Sequence, residues 1–269
     1  MPELAEVEVV RQTLESCLVG QTIEGIDCFY APILENQVDD FKCNVIGHRI
    51  EKIHRYAKYL LFGLDNGWIV CHLRMEGKLY YLSEPMIDKH THVVFHLSSG
   101  NDLVYKDVRK FGRMIFKKDN ELFQTAPLLH VGVEANCSCY DLAVIYNKIH
   151  RKKIPIKTIL LDQRIISGLG NIYADEVLYQ AHLSPLRPGN TLQKEDVAML
   201  MQVSKQILDQ AIAYKGTTIR SYASSLGVYG SYQQFLKVHT KTECPMCHAP
   251  LEKIKIGGRT SYYCSRCQH

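Results

Sequence analysis

The chain has 269 residues, 46% hydrophobic and 22% charged, which is the balance of an ordinary globular protein with a sizeable core and room for two domains. Lys plus Arg exceed Asp plus Glu by only 32 to 28, so net charge alone does not point to nucleic acid, and no stretch nears the ~20 apolar residues of a membrane span. No secretory leader pattern opens the sequence, so reduced thiols of a cytoplasmic protein are expected over a secreted disulfide framework for the six scattered cysteines.

The chain opens Met1-Pro2-Glu3. A start methionine before a small residue is usually removed, which would leave Pro2 with a secondary α-amine. Free α-amines titrate near pH ~8, so part of this one is neutral and nucleophilic at pH 7. Attack of such an amine on a sugar aldehyde carbon gives an iminium, a covalent electron sink, and Glu3 stands next to it as an acid or base. Alone, the dipeptide reads equally as a frayed end. Against that, Val7, Val10, Leu14, Cys17 and Leu18 recur at helical spacing, and Gly20 stops the helix, so the terminus is anchored.

Residues 22–116 read as β-rich, with short apolar or alternating runs at 59–64, 68–73, 92–97, 103–106 and 113–116. Asp65-Asn66-Gly67 and Ser99-Gly100-Asn101-Asp102 are turns, and the whole suggests a sandwich or barrel-like pair of sheets. Residues 117–140 form a connector, after which helical spacing takes over at Leu142, Ile145 and Ile149. The run from Lys148 to Lys157 carries five Lys and Arg and no acid. Pro155 opens a short helix to Asp162, and Gly168-Leu-Gly170-Asn171 opens another over 172–179. Glycines before a helix start let backbone N–H groups approach a phosphate; a plain helix-turn-helix packing unit is the bland alternative. A long helix is expected over 193–214, then a polar segment over 217–230, too long for a simple turn and suited to covering a site.

Cys244-x2-Cys247 and Cys264-x2-Cys267 flank a strand–turn–strand pattern around Gly257-Gly258. This is the spacing of a four-cysteine zinc site. Four thiolates fill a tetrahedral ion and leave no position for substrate, so one structural Zn2+ is expected, worth on the order of 10 kcal/mol of folding energy. A redox role for the two pairs is the competing reading. Arg259, at the turn, is placed to meet a phosphate or simply solvent.

Taken together, these pieces resemble the bacterial formamidopyrimidine-DNA glycosylases and the related endonuclease VIII enzymes. The resemblance covers essentially the whole chain. It rests on Pro2-Glu3-Leu4-x-Glu6-Val7-Glu8, Ala57-Lys58-Tyr59-Leu60, His72-Leu73-Arg74-Met75-x-Gly77 and Asp107-x-Arg109-x-Phe111-Gly112. It continues through Gly168-x-Gly170-Asn171-Ile172-Tyr173-Ala174-Asp175-Glu176, Gly216-Thr217-Thr218 and the cysteine hairpin.

The implied fold is α+β: a two-layer β-sandwich domain with an N-terminal helix over 1–131, a helical helix-two-turn-helix domain over 132–234, and a zinc hairpin over 235–269, with DNA between the two main domains. The implied activity is that of a monomeric, bifunctional glycosylase and AP lyase of base excision repair, acting on oxidised purines in duplex DNA without a membrane. Pro2 is the implied nucleophile and Glu3 the proton donor, with Lys58 assisting β-elimination and Arg259 δ-elimination. Met75, Arg109 and Phe111 are the implied wedge that fills the gap left by a flipped nucleotide; spacing alone makes Met75 and Phe111 core residues. His72, His90, Lys153, Lys157 and Asn171 are expected on the DNA backbone, although buried hydrogen-bonded histidines are the plain reading of His72 and His90. Glu6 falls in the matched leader and is expected to orient the site. The chain departs from the family pattern at Ala5 for proline, Ser221 for aspartate and Val238-His239-Thr240 for Val-Tyr-Gly. The alternatives are an oxidised-pyrimidine glycosylase of the endonuclease VIII type, a non-enzymatic zinc-finger DNA-binding protein, and a zinc-stabilised RNA-binding module.

Overall fold

A computed structural model describes residues 1–84, 87–217 and 230–269. The expected cover over 217–230, with Ser221, thus lies almost wholly outside the described residues. The chain forms two compact units: Met1–Leu129 with Lys215–Ser231, and His130–Tyr214 with Tyr232–His269. The zinc hairpin is part of the second unit, while Lys215–Ser231 groups with the first.

In the first unit, helix α1 (Leu4–Leu18) leads into β1 (Ile23–Cys28), α2 (Val38–Val45) and seven further strands. These are β2 (Ile50–Tyr56), β3 (Tyr59–Leu64), β4 (Gly67–His72), β5 (Lys78–Leu82), β6 (Thr91–Leu97), β7 (Asp102–Lys106) and β8 (Arg113–Lys117). They build two four-stranded antiparallel sheets, ordered β1-β6-β7-β5 and β2-β3-β4-β8. One apolar core joins their inner faces: Phe62, Ile69 and Met114 from one sheet meet Val93, Phe95 and Leu103 from the other. The helical stripe Val7, Val10, Leu14 and Leu18 packs into that same core, so the leader rides on the core of the sandwich. All five strands expected from short apolar or alternating runs are present. Strands β1, β2 and β5 escaped that reading because charged and apolar residues alternate irregularly in them: the exposed Glu24 and Asp27 break the rhythm of β1.

The second unit comprises β9 (Val133–Glu134), α3 (Leu142–His150), α4 (Ile156–Leu160), β10 (Ile166–Ser167), α5 (Asn171–Gln180) and α6 (Lys194–Ala213). It closes with the hairpin β11 (Glu252–Ile256) and β12 (Arg259–Tyr263). Asp141 caps α3 by accepting from the N–H groups of Ala143 and Val144. The helix α5 is buried over 173–179, including Asp175 and Glu176, so its acids need partners within the protein. Among the described residues no helix is long and apolar enough to cross a membrane.

Candidate active site and nucleic-acid interface

The first site is built on the start of α1. Pro2 is buried, and Glu3 and Glu6 are only 3% and 5% exposed. Glu6 uses both of its oxygens. Oε2 accepts from the Glu3 N–H at 2.9 Å, closing the first turn of the helix. Oε1 accepts from the Thr217 N–H at 2.8 Å and the Thr217 hydroxyl at 3.0 Å. Gly216 makes that approach feasible: its φ is +79°, and a Cβ there would lie 2.9 Å from Glu6 Oε1. One carboxylate thus ties the leader to the segment that follows α6. Sequence reading anticipated an orienting role for Glu6, but nothing in a distance of 211 residues along the chain announced Thr217 as its partner.

Lys58 follows Ala57, whose φ of +53° turns the chain between β2 and β3, and it is 3% exposed. The terminal amine feels Glu3, Glu6 and Lys58 together. Burial pushes the Met1 ammonium below its ordinary value and Lys58 adds to this, outweighing Glu3 and Glu6. An amine housed there is biased toward its neutral, nucleophilic form.

The tips after β4 and β7 carry the next group. Arg109 and Phe111 stand exposed between β7 and β8, and the Arg109 guanidinium lies 4.8 Å from the Phe111 ring centroid. Phe111 is 48% exposed and Met75 is half-buried, so the core reading that spacing suggested for both is overturned. Both sit in loops at strand ends rather than within a strand. His72 is buried, accepts the Arg74 N–H on Nδ1 at 2.9 Å and packs edge-on to Tyr59 at 4.6 Å. Burial, then the Arg74 and Lys58 charges, push its pKa down to about 3, so it stays neutral and only its Nε2–H is left to donate. His90 is half-buried just before β6, and its carbonyl accepts from the Asp107 N–H at 3.0 Å.

In the second unit, Lys153 is exposed in the basic run, but Lys157 has no exposed surface. Its ammonium is held by Asp175 and donates to the Thr260 carbonyl at 3.4 Å. This corrects the expectation that Lys157 contacts the DNA backbone directly: a fully enclosed, ion-paired ammonium supports the hairpin strand instead. Asn171, the first residue of α5, donates from Nδ2 to the same Thr260 carbonyl at 2.9 Å. Asp175 also meets His239 Nδ1 at 2.7 Å, and the His239 ring lies edge-on to Tyr262 at 5.2 Å. Glu176 accepts from the N–H groups of Lys237, Val238 and His239. The departure at Val238-His239-Thr240 therefore keeps a buried role. It also carries a strain, since Thr240 has φ +64°, a conformation costing a side-chain-bearing residue roughly 1–2 kcal/mol. Arg259 is exposed at the start of β12.

The four cysteines converge, with all ligand sulfurs within 4.8 Å of one another. Cys244 and Cys267 are 3.8 Å apart, and Cys247 and Cys264 3.5 Å. A tetrahedral zinc with Zn–S bonds of ~2.3 Å sets its sulfurs about 3.8 Å apart, so the cage fits the ion. The charges agree. Burial opposes ionisation of Cys244, but the Tyr179 hydroxyl and nearby N–H groups outweigh it and lower its pKa. The thiols of Cys267 and Cys264 are raised, by neighbouring Cys247 foremost in the first case and by burial in the second. Four such sulfurs can all be thiolates only around a cation. The set is closed, which makes a bound Zn2+ structural.

Comparison with known proteins gives one answer along the chain. The model of the formamidopyrimidine-DNA glycosylase N-terminal domain matches residues 1–114, that of the H2TH domain of the same protein residues 131–223, and that of a zinc finger found in FPG and IleRS residues 243–269. A formamidopyrimidine-DNA glycosylase of Lactobacillus delbrueckii subsp. bulgaricus is 41% identical over 100% of this chain and 99% of its own length. One from Enterococcus faecalis is also 41% identical, over 100% of this chain and 97% of its own. Among solved structures, Lactococcus lactis Fpg in complex with DNA containing an abasic site is similar at a TM-score of 0.92 and 35% identity, over 99% of both chains. The wild-type Lactococcus lactis protein (MutM) bound to N7-benzyl-Fapy-dG DNA is similar at 0.92 and 35%, again over 99% of both.

Proposed function

Because the chain belongs to the formamidopyrimidine-DNA glycosylase family, we propose that it is a bifunctional DNA glycosylase and AP lyase of base excision repair, removing oxidised purines such as 8-oxoguanine and formamidopyrimidines from duplex DNA. The reading rests above all on the head of α1, where Pro2 is buried and the terminal amine beside it feels Glu3, Glu6 and Lys58 at once. Once Met1 is removed, the Pro2 nitrogen becomes a free secondary amine in that setting.

In the proposed reaction this nitrogen bonds to C1′ of the damaged nucleotide, and the C1′–base bond breaks, the base leaving with a proton. Glu3 delivers a proton to the opening ring oxygen, and the product is an iminium between Pro2 and the sugar. The iminium acidifies the 2′ hydrogens. Loss of one expels the 3′ phosphate, with Lys58 assisting, and a second elimination expels the 5′ phosphate, with Arg259 assisting. Met75, Arg109 and Phe111 fill the gap where the nucleotide stood, and Arg109 can hydrogen-bond the orphaned base; the exposure of Arg109 and Phe111 and the half-buried place of Met75 at strand ends support that use. His72, His90, Lys153 and Asn171 remain the candidates for backbone contacts, Asn171 sharing its amide with Thr260.

The cysteine set holds a structural zinc ion, which when bound fixes the hairpin that presents Arg259. We assign the chemistry to residues 1–131, the grip to 132–234 and the zinc clamp to 235–269, and the site of action to the chromosome in a bacterial cytoplasm. Reduction with borohydride in the presence of abasic DNA tests the whole. The expected result is a covalent adduct that maps to Pro2 by mass spectrometry; no adduct, or one at a lysine side chain, refutes the mechanism.

A further inference from the structure

Between β7 and β8 the exposed run 108–111 belongs to no strand, yet the backbone N–H groups of Arg109, Lys110 and Phe111 are all held by one residue at its base. The organiser is Asp107, 1% exposed. Its Oδ1 accepts from the Arg109 N–H at 2.9 Å, and its Oδ2 accepts from the N–H groups of Phe111 and Gly112 at 2.9 Å each. The Tyr105 hydroxyl donates to the same Oδ2 at 3.2 Å. The main chain of Asp107 is anchored as well, since its N–H donates to the His90 carbonyl and its carbonyl accepts from His92 Nε2 at 2.7 Å. A carboxylate holding four donors is a strong, low-mobility fixture.

Tyr105 stands behind this fixture with no exposed surface. A Cβ at Gly112 would sit 1.6 Å from its hydroxyl oxygen, and one at Gly77 would sit 2.5 Å from it. The turn that carries Met75 and the loop that carries Arg109 and Phe111 therefore pack against one phenol oxygen. Only glycine at both positions permits this.

We propose that Asp107, backed by Tyr105, is a positioning residue that sets the Arg109–Phe111 loop, and through Tyr105 the Met75 turn, in the shape that enters the duplex. The inference deepens the reading above and rests on Met75, Arg109 and Phe111 being the inserted residues. A loop shaped beforehand need not be ordered as it enters the base stack, so the cost of opening the duplex is not compounded by the cost of ordering the protein. Asparagine cannot replace the aspartate. It has one acceptor oxygen and one NH2 group, so in either orientation its NH2 faces an N–H that no longer finds an acceptor.

Single-turnover rates on two duplexes of one sequence test the proposal. One carries 8-oxoguanine paired with cytosine; the other carries a pre-formed abasic site, which has no damaged base to displace. Asp107→Asn is expected to slow excision of the paired lesion by roughly tenfold to a hundredfold while strand cleavage at the abasic site changes little. Tyr105→Phe is expected to do the same more weakly, with an unchanged melting temperature. Equal losses on both duplexes, or wild-type excision by Asp107→Asn, would overturn the proposal, and if that variant does not fold, Tyr105→Phe decides by the same criterion. Arg109→Ala serves as the reference: full excision of the paired lesion by that variant would sink the wedge reading itself, separately from the role of Asp107.

Discussion

The head of α1 and the cysteine hairpin solve the same problem by different means. In the proposed reaction each must hold a short piece of chain still enough to present one nitrogen-bearing group, the amine next to Glu3 in one case and Arg259 in the other. The leader borrows rigidity from a large core: Val7, Val10 and Leu14 lie among the inner residues of both sheets, and Glu6 closes the last hydrogen bonds. The hairpin has no such core. Its apolar cluster is Tyr179, Val238, Ala249 and the cysteines Cys244 and Cys264, with few partly buried neighbours. A segment that small cannot offset its ordering entropy by burial, so a metal cross-link takes the place of the core.

The contrast predicts where each region fails, and the largest effect is expected at the leader. A Pro2→Glu protein, which retains Met1 and loses the secondary amine, should form no borohydride adduct with abasic DNA. An adduct at the wild-type level would remove the terminal nitrogen from the mechanism.

Next in size is loss of the metal. Cys247→Ser should release zinc, detected by elemental mass spectrometry, and weaken DNA binding more than tenfold, given the ~10 kcal/mol that a structural zinc contributes to folding. Trp68 in β4, the single tryptophan, should report the same unfolding midpoint for the first unit as before. A large shift in that midpoint would mean that the metal stabilises the sandwich too, and the division drawn above would fall.

A smaller effect is expected from Glu6→Gln. The amide cannot accept both from Glu3 and from the two Thr217 donors, so adduct formation should slow by roughly tenfold to a hundredfold, the equivalent of one charge-assisted hydrogen bond of ~1.5–3 kcal/mol. An unchanged trapping rate would show that burial alone fixes the leader.

The smallest concerns acid. His72 has a folded pKa of about 3, below the ~6.5 of an unfolded histidine, so the unfolded chain binds the extra proton first. Its contribution to stability is complete above pH ~6.5 and is lost as the pH falls toward the folded value, by up to a few kcal/mol. His72→Gln should flatten that acid limb in urea titrations monitored by Trp68. An identical limb would mean that other groups carry it.

Several features were legible in the residues themselves. The two Cys-x2-Cys pairs state their chemistry by spacing, because thiolates so arranged reach one ion whatever surrounds them. The helical stripe of α1 and the apolar or alternating runs of strands β3, β4, β6, β7 and β8 follow from local pattern. The assignments of Met75, Phe111 and Lys157 did not. A large apolar residue and a lysine carry the same local signal whether enclosed or exposed, and only the fold turned Phe111 toward solvent, left Met75 half-buried and shut Lys157 inside with Asp175.

By itself, then, the sequence determined the kinds of layers, the metal cage and the amphipathic helix that anchors the terminus, since each depends on residue type and on spacing within one turn, strand or hairpin. Tertiary structure decided which carboxylate does what. Glu6 meets Thr217 across 211 residues, Asp175 joins Lys157 to His239, and Asp107 gathers three backbone N–H groups of the loop beside it. The reason is that a buried charge is tolerated only where enough donors converge, and that convergence is set by packing in three dimensions, which no local pattern encodes.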